Sequence, residues 1–261
     1  MFNLIKSDFY KLWNDRKFWV FSLLTVAFTA LSVILNRISG ISTDASGKVT
    51  LVYQTSSREL LLNSLFVNVF LFASIFATIF SIDEFNCGLL SMNVARGVKR
   101  AQIYFSKLVA SVCNLFILII LNILTNLICV KIVVKEFLLP DNFWLGLGFQ
   151  VFVYLCCICV ITAIAFFIKS KVWTIAIAIL SNGLDLIIMA FSFYIEEIFK
   201  LTDIHLENYW ILHYSYARVF DFTEFNQELK NYIILGLAVS VCYAVAATVL
   251  SILKLKQRDL K

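Results

Sequence analysis

Cysteine and histidine are the residues of this chain whose chemistry could hold a metal ion or attack a substrate. Three of the seven cysteines, Cys156, Cys157 and Cys159, lie close together, but no histidine or acidic residue accompanies them. His205 and His213 are eight residues apart, which does not place them one helical turn apart as zinc ligands. We therefore interpret the three cysteines as small buried apolar side chains and predict neither a metal site nor a catalytic site.

A phosphate-binding loop is absent from the sequence. The pattern G-x-x-x-x-G-K-[ST] does not occur, and the eight glycines never form G-x-G-x-x-G. We expect no cofactor on this chain and predict that it is not an enzyme.

Asp185 is an acidic residue inside a continuous apolar run, TIAIAILSNGLDLIIMAF. An ionisable side chain at that depth in a membrane costs about 2.5–3.5 kcal/mol, so it should not face lipid. One explanation is structural, a hydrogen bond to Asn122 or Asn126 of a neighbouring span. The other is functional: Asp185 lines a cavity at a dimer interface, together with Asn182 on the same helical face. The sequence leaves both explanations open.

A polar stretch from Asp83 to Lys107 separates the second apolar run from the third. It reads as an amphipathic helix that runs into a basic patch, so it should lie on one membrane face. We interpret it as the surface through which another protein drives this one; the alternative is a helix resting on the anionic inner leaflet. Its acidic residues are Asp83 and Glu84, its apolar residues Phe85, Leu89, Met92 and Val94, and its basic residues Arg96, Lys99, Arg100 and Lys107.

The elements that position these residues are those of an integral membrane protein. Hydrophobic residues make up 61% of the chain, against about 45–50% in soluble domains. They form continuous blocks of about 20 residues, the length of a membrane-spanning helix, and do not alternate as in a β-barrel. We predict an all-α fold, with one transmembrane domain over residues 1–261. Its six spans cover about 18–36, 60–82, 108–130, 144–168, 173–195 and 231–253.

Residues 2–15 have the pattern of an amphipathic helix that lies in the membrane interface. Phe2, Ile5, Phe9, Leu12 and Trp13 fall on one helical face, which we expect to meet the lipid headgroups. Lys6, Asp8, Lys11 and Asp15 take the opposite, polar face. The alternative is the first turn of a long first span. The first apolar run follows about 17 mixed residues and lacks a small-residue cleavage site, so we do not expect the N-terminus to be a removed signal peptide.

Lysine and arginine residues set the predicted orientation. With both termini on one side, that side holds 14 of the 22 basic residues and the other side holds 8. The positive-inside rule places both termini and the stretch from Asp83 to Lys107 in the cytoplasm. Segment 196–230 then lies outside, and its many aromatic residues predict either short interfacial helices or an aromatic belt around ordinary span ends.

This layout, together with a short motif, resembles type-2 ABC exporter permeases. The similarity is greatest to the small permeases of lantibiotic or bacteriocin immunity and of peptide-antibiotic export. Family members carry a Glu after the second span, a Gly four residues later, a short apolar helix, an Arg, and Lys-Leu at the third span. The chain departs from the pattern at Leu89, where Thr is usual, and lacks the usual Pro before the Arg. The matching residues are Glu84, Gly88, Leu89, Leu90, Arg96, Lys107 and Leu108.

The resemblance implies partners and roles. The helix at 84–95 is expected to be a coupling helix that docks on a separate ABC ATPase, present in two copies and holding the ATP and Mg²⁺. A second permease copy or a homologous permease completes the transporter, in contact with membrane lipid and with no nucleic acid. Segment 196–230 is expected to form re-entrant helices that close the pathway. The implied coupling residues are Glu84, Phe85, Gly88, Leu89, Met92, Arg96 and Lys107, and the pathway or gate residues are Asn182, Asp185, Glu196, Glu197 and Trp210.

The resemblance favours a hydrophobic or amphipathic peptide as substrate, such as an antimicrobial peptide or lantibiotic, with lipids or drugs as the next candidates. It implies that the substrate is moved out of the bacterial cytoplasmic membrane or the cytoplasm, for export or self-protection. Two other classes of protein remain open. One is a secondary transporter or channel that needs no ATPase, although the sequence shows no convincing repeat and one acidic residue within its spans. The other is an immunity protein that binds its ligand without moving it.

Overall fold

A computed structural model describes seven segments of the chain. The described residues are 2–43, 49–53, 69–86, 89–133, 143–168, 170–181 and 227–257. Their helices are α1 (Phe2–Asn14), α2 (Arg16–Arg37), α3 (Val69–Asn86), α4 (Leu89–Ala95), α5 (Arg100–Val133), α6 (Phe143–Ile168), α7 (Lys171–Ser181) and α8 (Gln227–Gln257). Two strands, β1 (Ile38–Thr43) and β2 (Val49–Tyr53), follow α2.

Four of the described helices are long and apolar enough to cross a membrane. Their candidate spans are Arg16–Leu35, Arg100–Val133, Trp144–Ile168 and Lys230–Leu255. They confirm membrane-spanning helices at the predicted first, third, fourth and sixth spans, although the helix of the third begins eight residues before residue 108. Many large apolar side chains on these helices are exposed, as expected where a surface meets lipid. These features indicate a membrane protein.

The predicted second and fifth spans are described in part. The apolar helix Val69–Asp83 covers the end of the second, and Lys171–Ser181 covers the beginning of the fifth. Residues 60–68 and 182–195, the remainder of these two predictions, lie outside the described residues.

A β-hairpin follows α2, in the connection between the predicted spans 18–36 and 60–82. Strands β1 and β2 pair antiparallel, from Ile38 opposite Tyr53 to Thr43 opposite Val49. Both strands are rich in Ile, Val and Thr, whose branched side chains favour extended backbone. The prediction of a helical membrane protein is confirmed by the described helices. The hairpin is a further element that the sequence did not predict.

The helices pack around a core that α2, α3, α5 and α6 all contribute to. Phe70 of α3 stacks on Tyr154 of α6, with ring centroids 5.5 Å apart. Among the described helices, α6 and α8 form the most extensive pair, and α5 contacts both α2 and α3. Buried Leu118 and Ile119 place the middle of α5 inside this core. Helix α5 is therefore the central element, against which the N-terminal helix also packs.

Candidate functional site

Charged side chains gather at one end of the bundle, which we call the polar end. It is formed by α1, the start of α2, the end of α3, α4, and the start of α5. The start of α7 and the end of α8 complete it. Contacts between Asp8 and Lys107, Asp83 and Lys171, and Arg100 and Leu255 join these elements.

A buried ion pair ties α1 to α5. Lys107 Nζ donates a hydrogen bond of 2.6 Å to Asp8 Oδ1, and the two side chains are only 2% and 3% exposed. The Lys107 ammonium also lies 4.3 Å from the ring centroid of Phe80, where a cation–π attraction adds to its stabilisation. Each charge is thus compensated by a neighbour, which is the condition for burying a lysine or an aspartate.

The burial of Asp8 corrects the predicted orientation of α1. We predicted Asp8 on the polar face, but Asp8 and Leu12 are buried and Leu4 packs against the protein. The spacing of four residues makes these three a stripe along one side of the helix. Phe9, from the predicted apolar face, remains partly exposed, as does Trp13. Helix α1 therefore has two partly apolar sides, one against the bundle and one that faces outward.

Asp15 separates α1 from α2 and caps the second helix. Its side-chain Oδ1 accepts a hydrogen bond of 2.9 Å from the backbone N–H of Lys17, and its carbonyl accepts one from Phe18. A carboxylate at this position satisfies an N–H that has no partner within the helix. The sequence placed Asp15 on the polar face of the first helix, whereas its structural role is to begin the next one.

Asp83 joins three helices at the polar end. Its Oδ2 accepts a hydrogen bond of 2.5 Å from Lys17 Nζ of α2, and its Oδ1 pairs with Lys171 Nζ of α7. Partial burial raises the pKa of the Asp83 carboxyl, but the hydrogen bonds and charges of the two lysines outweigh it. The pKa of Asp83 therefore lies below its ordinary value.

Helix α4 is joined to α5 by a tight turn. The backbone N–H of Val98 donates to Asn93 O and that of Gly97 donates to Val94 O, the two hydrogen bonds of a Schellman motif. Gly97 has φ +86°, a left-handed conformation that glycine adopts without steric cost. Helix α5 begins at Arg100, so only four residues separate the two helices. A joint this short, with both of its ends hydrogen-bonded, holds α4 at a fixed angle to α5.

One side of α4 and of the turn that follows it packs on the bundle, and the other side is open. Val94 and Val98 pack against a cluster that includes Ile103, Tyr104 and Leu255. On the open side, Met92 is 43% exposed, and Arg96 and Lys99 are also exposed. The apolar residues predicted to face a partner are thus divided, since Val94 faces this chain while Met92 faces outward.

Arg100 fastens the beginning of α5 to the end of α8. Its Nη1 donates a hydrogen bond of 2.6 Å to the carbonyl oxygen of Leu255. Carbonyl groups in the last turn of a helix lack partners within the helix, and a guanidinium is a strong donor to them. The central helix is therefore connected at its first turn to the last helix of the chain.

The predicted coupling residues fall into three groups. Met92 and Arg96 lie exposed at α4, whereas Lys107 is buried and holds Asp8. An effect of Lys107 on a partner would therefore pass through α1 rather than through direct contact. For Glu84, Phe85 and Leu89 the structure gives a place in α3 or α4 but no side-chain position, and Gly88 lies outside the described residues.

The predicted pathway and gate residues all lie outside the described residues. They are Asn182, Asp185, Glu196, Glu197 and Trp210. The structure does bear on Asn122, one of the candidate partners of Asp185, because its side-chain amide donates a hydrogen bond of 2.7 Å to Thr29 Oγ1 of α2. Asn122 thus already links α5 to α2 inside the bundle.

The cysteines of α6 lie where apolar side chains pack. Cys156 and Cys157 are buried and belong to the main hydrophobic core. This placement accords with the interpretation of the cysteine cluster as small apolar side chains.

Sequence reasoning named Asp83, Arg100 and Lys107 but missed their partners. Asp8, Lys171 and the Leu255 carbonyl come from segments far away in the chain, so no local pattern connects them. The signal available was the position of Lys107 at the edge of a long apolar run, where a lysine requires a carboxylate if it is to be buried.

Neither a scan against protein-family models nor a search of curated proteins finds a match for this chain.

Proposed function

We propose that this chain is the transmembrane permease subunit of an ATP-driven ABC exporter. In this proposal six helices span the membrane, and two permease chains work with two copies of a separate ATPase that holds ATP and Mg²⁺. The substrate is a hydrophobic or amphipathic peptide, such as an antimicrobial peptide or a lantibiotic, and its removal serves export or self-protection. The chain itself carries out no catalytic step.

The observation that carries the proposal is the geometry of α4 and its joint with α5. A soluble motor can move lipid-embedded helices only through a rigid lever that reaches them. Helix α4 has a packed side at Val94 and an open side at Met92, which Arg96 of the turn continues, and the Gly97 turn joins it to the longest of the described helices. A force on the open side would therefore tilt α5.

The buried ion pair extends this lever to the N-terminal helix. Lys107 lies about two turns from the start of α5, and Asp8 holds it from α1. Movement of the first turns of α5 would carry α1 with it, because separating the two charges in a buried environment is costly. We assign α4, its turn and the Asp8–Lys107 pair to one coupling unit, in which Glu84, Phe85, Gly88 and Leu89 complete the docking surface.

The remaining parts of the proposal concern orientation and gating. The excess of lysine and arginine places the polar end in the cytoplasm, with both chain termini there, in the bacterial cytoplasmic membrane. On the opposite side, Glu196, Glu197 and Trp210 form an outer gate, and an acidic outer surface raises the local concentration of a cationic peptide. Within the membrane, Asn182 and Asp185 line the pathway at the permease dimer interface.

Purification from native membranes tests the proposal directly. The chain has no phosphate-binding loop, so ATP hydrolysis that copurifies with it must belong to a partner. We expect vanadate-sensitive ATPase activity in the wild-type preparation. We expect its loss when Met92→Glu and Arg96→Glu are combined, because a new acidic patch replaces the apolar and basic contacts of α4.

A matched control is available at the other end of the bundle. Lys131 is exposed near the end of α5, far from α4, and Lys131→Glu should leave the copurified activity unchanged. If wild-type protein transports or protects but never copurifies with an ATPase, the exporter assignment is wrong. The choice would then lie between a secondary transporter and an immunity protein that only binds its ligand.

A further inference from the structure

Exposed aromatic side chains mark the outward side of the corner between α1 and α2. Tyr10 and Trp13 of α1 and Trp19 of α2 are each more than half exposed. The Trp19 indole Nε1 donates a hydrogen bond of 3.1 Å to the carbonyl oxygen of Trp13, and the two ring centroids lie 5.5 Å apart in an edge-to-face arrangement. The two helices therefore present one continuous surface, which we call the tryptophan corner (Tyr10, Trp13, Arg16 and Trp19).

The tryptophan corner lies on the side of α1 that faces away from the bundle. Leu4 and Leu12 pack against the bundle. Lys6, Tyr10 and Trp13 are spaced four and three residues apart, so they share the other side of the helix, and all three are exposed. The described part of the chain leaves this side open.

The same surface continues along α2 as an apolar face. Trp19 and Val20 lie three and four residues after Arg16, on the same side of the helix. Leu23, one turn after Trp19, extends that side by about 6 Å, and all of these side chains are exposed. Arg16 is the first residue of the candidate span Arg16–Leu35, and tryptophan beside the start of a span is typical of headgroup depth. The surface therefore runs from headgroup depth into the hydrocarbon, and what it meets is lipid.

Arg16 and Lys6 give this surface a positive charge that the described side chains do not balance. The carboxylates of Asp8 and Asp83 already pair with lysines, and the carboxylate of Asp15 caps α2. Neither Arg16 nor Lys6 forms an ion pair with any carboxylate among the described residues. An anionic group from the surroundings can therefore bind the Arg16 guanidinium without displacing a partner.

We propose that the tryptophan corner binds one anionic phospholipid, with its phosphate on Arg16 and an acyl chain along Val20 and Leu23. A guanidinium presents a planar fork of N–H donors that matches two phosphate oxygens. The apolar side of α2 begins directly after it, in the order of head and tail in a phospholipid. A zwitterionic lipid carries the same phosphate together with a cation, so the unbalanced positive charge favours an anionic headgroup. The lipid site does not depend on the proposed export function, because α4 takes no part in it.

Quenching of tryptophan fluorescence by spin-labelled lipids tests the proposal in vesicles. The full-length protein keeps Trp13 and Trp19, while Trp144→Phe, Trp173→Phe and Trp210→Phe remove the other three tryptophans. It is reconstituted in equal amounts of phosphatidylglycerol and phosphatidylcholine, with the label near the headgroup of one lipid or the other. We expect labelled phosphatidylglycerol to quench more strongly than labelled phosphatidylcholine at the same mole fraction.

A change at Arg16 tests which group selects the headgroup. Arg16→Gln should lower the preference for phosphatidylglycerol about five-fold, the effect of one basic residue near an anionic surface. Arg16→Lys should retain part of the preference, because it keeps the charge but loses the fork of donors. Lys131→Gln, which removes the same charge at an exposed position near the other end of α5, is the matched control and should leave the preference unchanged.

Salt provides a second measurement that needs no substitution at Arg16. Raising the ionic strength to about 1 M shortens the Debye length to about 3 Å, so the preference for phosphatidylglycerol should fall.

Three results would overturn the proposal. Equal quenching by the two labelled lipids would show that the tryptophan corner does not select an anionic headgroup. A preference that is the same in Arg16→Gln as in the protein with Arg16 would place the phosphate elsewhere. An absence of quenching by either lipid would show that protein rather than lipid covers the corner.

Discussion

Replacing one member of the Asp8–Lys107 pair should destabilise the protein far more than replacing both members by apolar residues. In Asp8→Asn, the Lys107 ammonium keeps its burial but loses its counter-charge, and in Lys107→Met the Asp8 carboxylate is left in the same position. The double variant Asp8→Leu with Lys107→Met replaces both charges by apolar groups. We expect both single variants to be strongly destabilised and the double variant to recover most of the loss.

The structure sets the size of the effect. Two unit charges 2.6 Å apart attract by about 6 kcal/mol at an effective dielectric constant of about 20. Desolvation opposes this attraction by several kcal/mol for each ion, so the net contribution of the intact pair is small. Removing one partner leaves the desolvation of the other without compensation, which costs about 3–5 kcal/mol. The cation–π contact with Phe80 lowers the cost for an unpaired lysine by about 1 kcal/mol.

Unfolding in mixed micelles with increasing fractions of a denaturing detergent measures these free energies. A double-mutant cycle then isolates the coupling between residues 8 and 107, which we expect to exceed about 2 kcal/mol. Lys6→Gln and Ser7→Ala, at exposed positions of α1, are controls that should change stability by less than about 0.5 kcal/mol. A coupling near zero, with singles no worse than these controls, would refute the assignment of a buried pair.

Three further predictions follow from the polar end and the helix core. Because the pKa of Asp83 is lowered, its ion pairs stabilise the protein above the ordinary pKa of 3.8, and this stabilisation is lost as the pH falls through the lowered pKa. In a profile of melting temperature against pH, Asp83→Asn should therefore flatten the decrease at acid pH. An unchanged decrease would contradict the assignment of these ion pairs. Gly97→Ala should lower the free energy of unfolding by about 1–2 kcal/mol, because the φ of Gly97 is +86°. Gly148→Ala should not destabilise the protein, because Gly148 lies in a helix and has free space around it. Thermal melts of both variants measure the difference. Asn122→Leu should lower the free energy of unfolding by about 0.6–1.7 kcal/mol in a detergent unfolding titration, because it removes the hydrogen bond to Thr29. An equal loss in a Thr29→Val background would argue against that hydrogen bond.

The spanning helices could be predicted because the bilayer imposes a length. Continuous apolar runs of about 20 residues locate α2, α5, α6 and α8 without reference to their neighbours. The hairpin was missed because it is short and lies in a segment whose composition is typical of a loop. Strand pairing depends on partners opposite each other rather than on the local pattern alone.

The interior of the polar end could not be predicted in the same way. Amphipathicity located α1, but a helix between a bundle and lipid has two apolar sides, and the pattern does not say which faces the protein. Either the stripe of Leu4, Asp8 and Leu12 or the side with Phe9 and Trp13 could face the bundle. The first contains a carboxylate, which makes its burial hard to predict from the sequence. The position of Lys107 in three dimensions makes that choice favourable, and nothing in the sequence of α1 itself indicates it.

The Asp8–Lys107 pair also sets an order of events during synthesis of the chain. Ninety-nine residues separate the two side chains, so the ribosome has to produce α2, the hairpin, α3 and α4 before Asp8 can meet its counter-charge. At about 5–20 residues per second, α1 waits for about 5–20 s after it is made. During that interval the charged Asp8 is stable only in water or among headgroups, which keeps α1 at the membrane surface. Docking of the N-terminal helix is therefore a late step that follows insertion of the central helix.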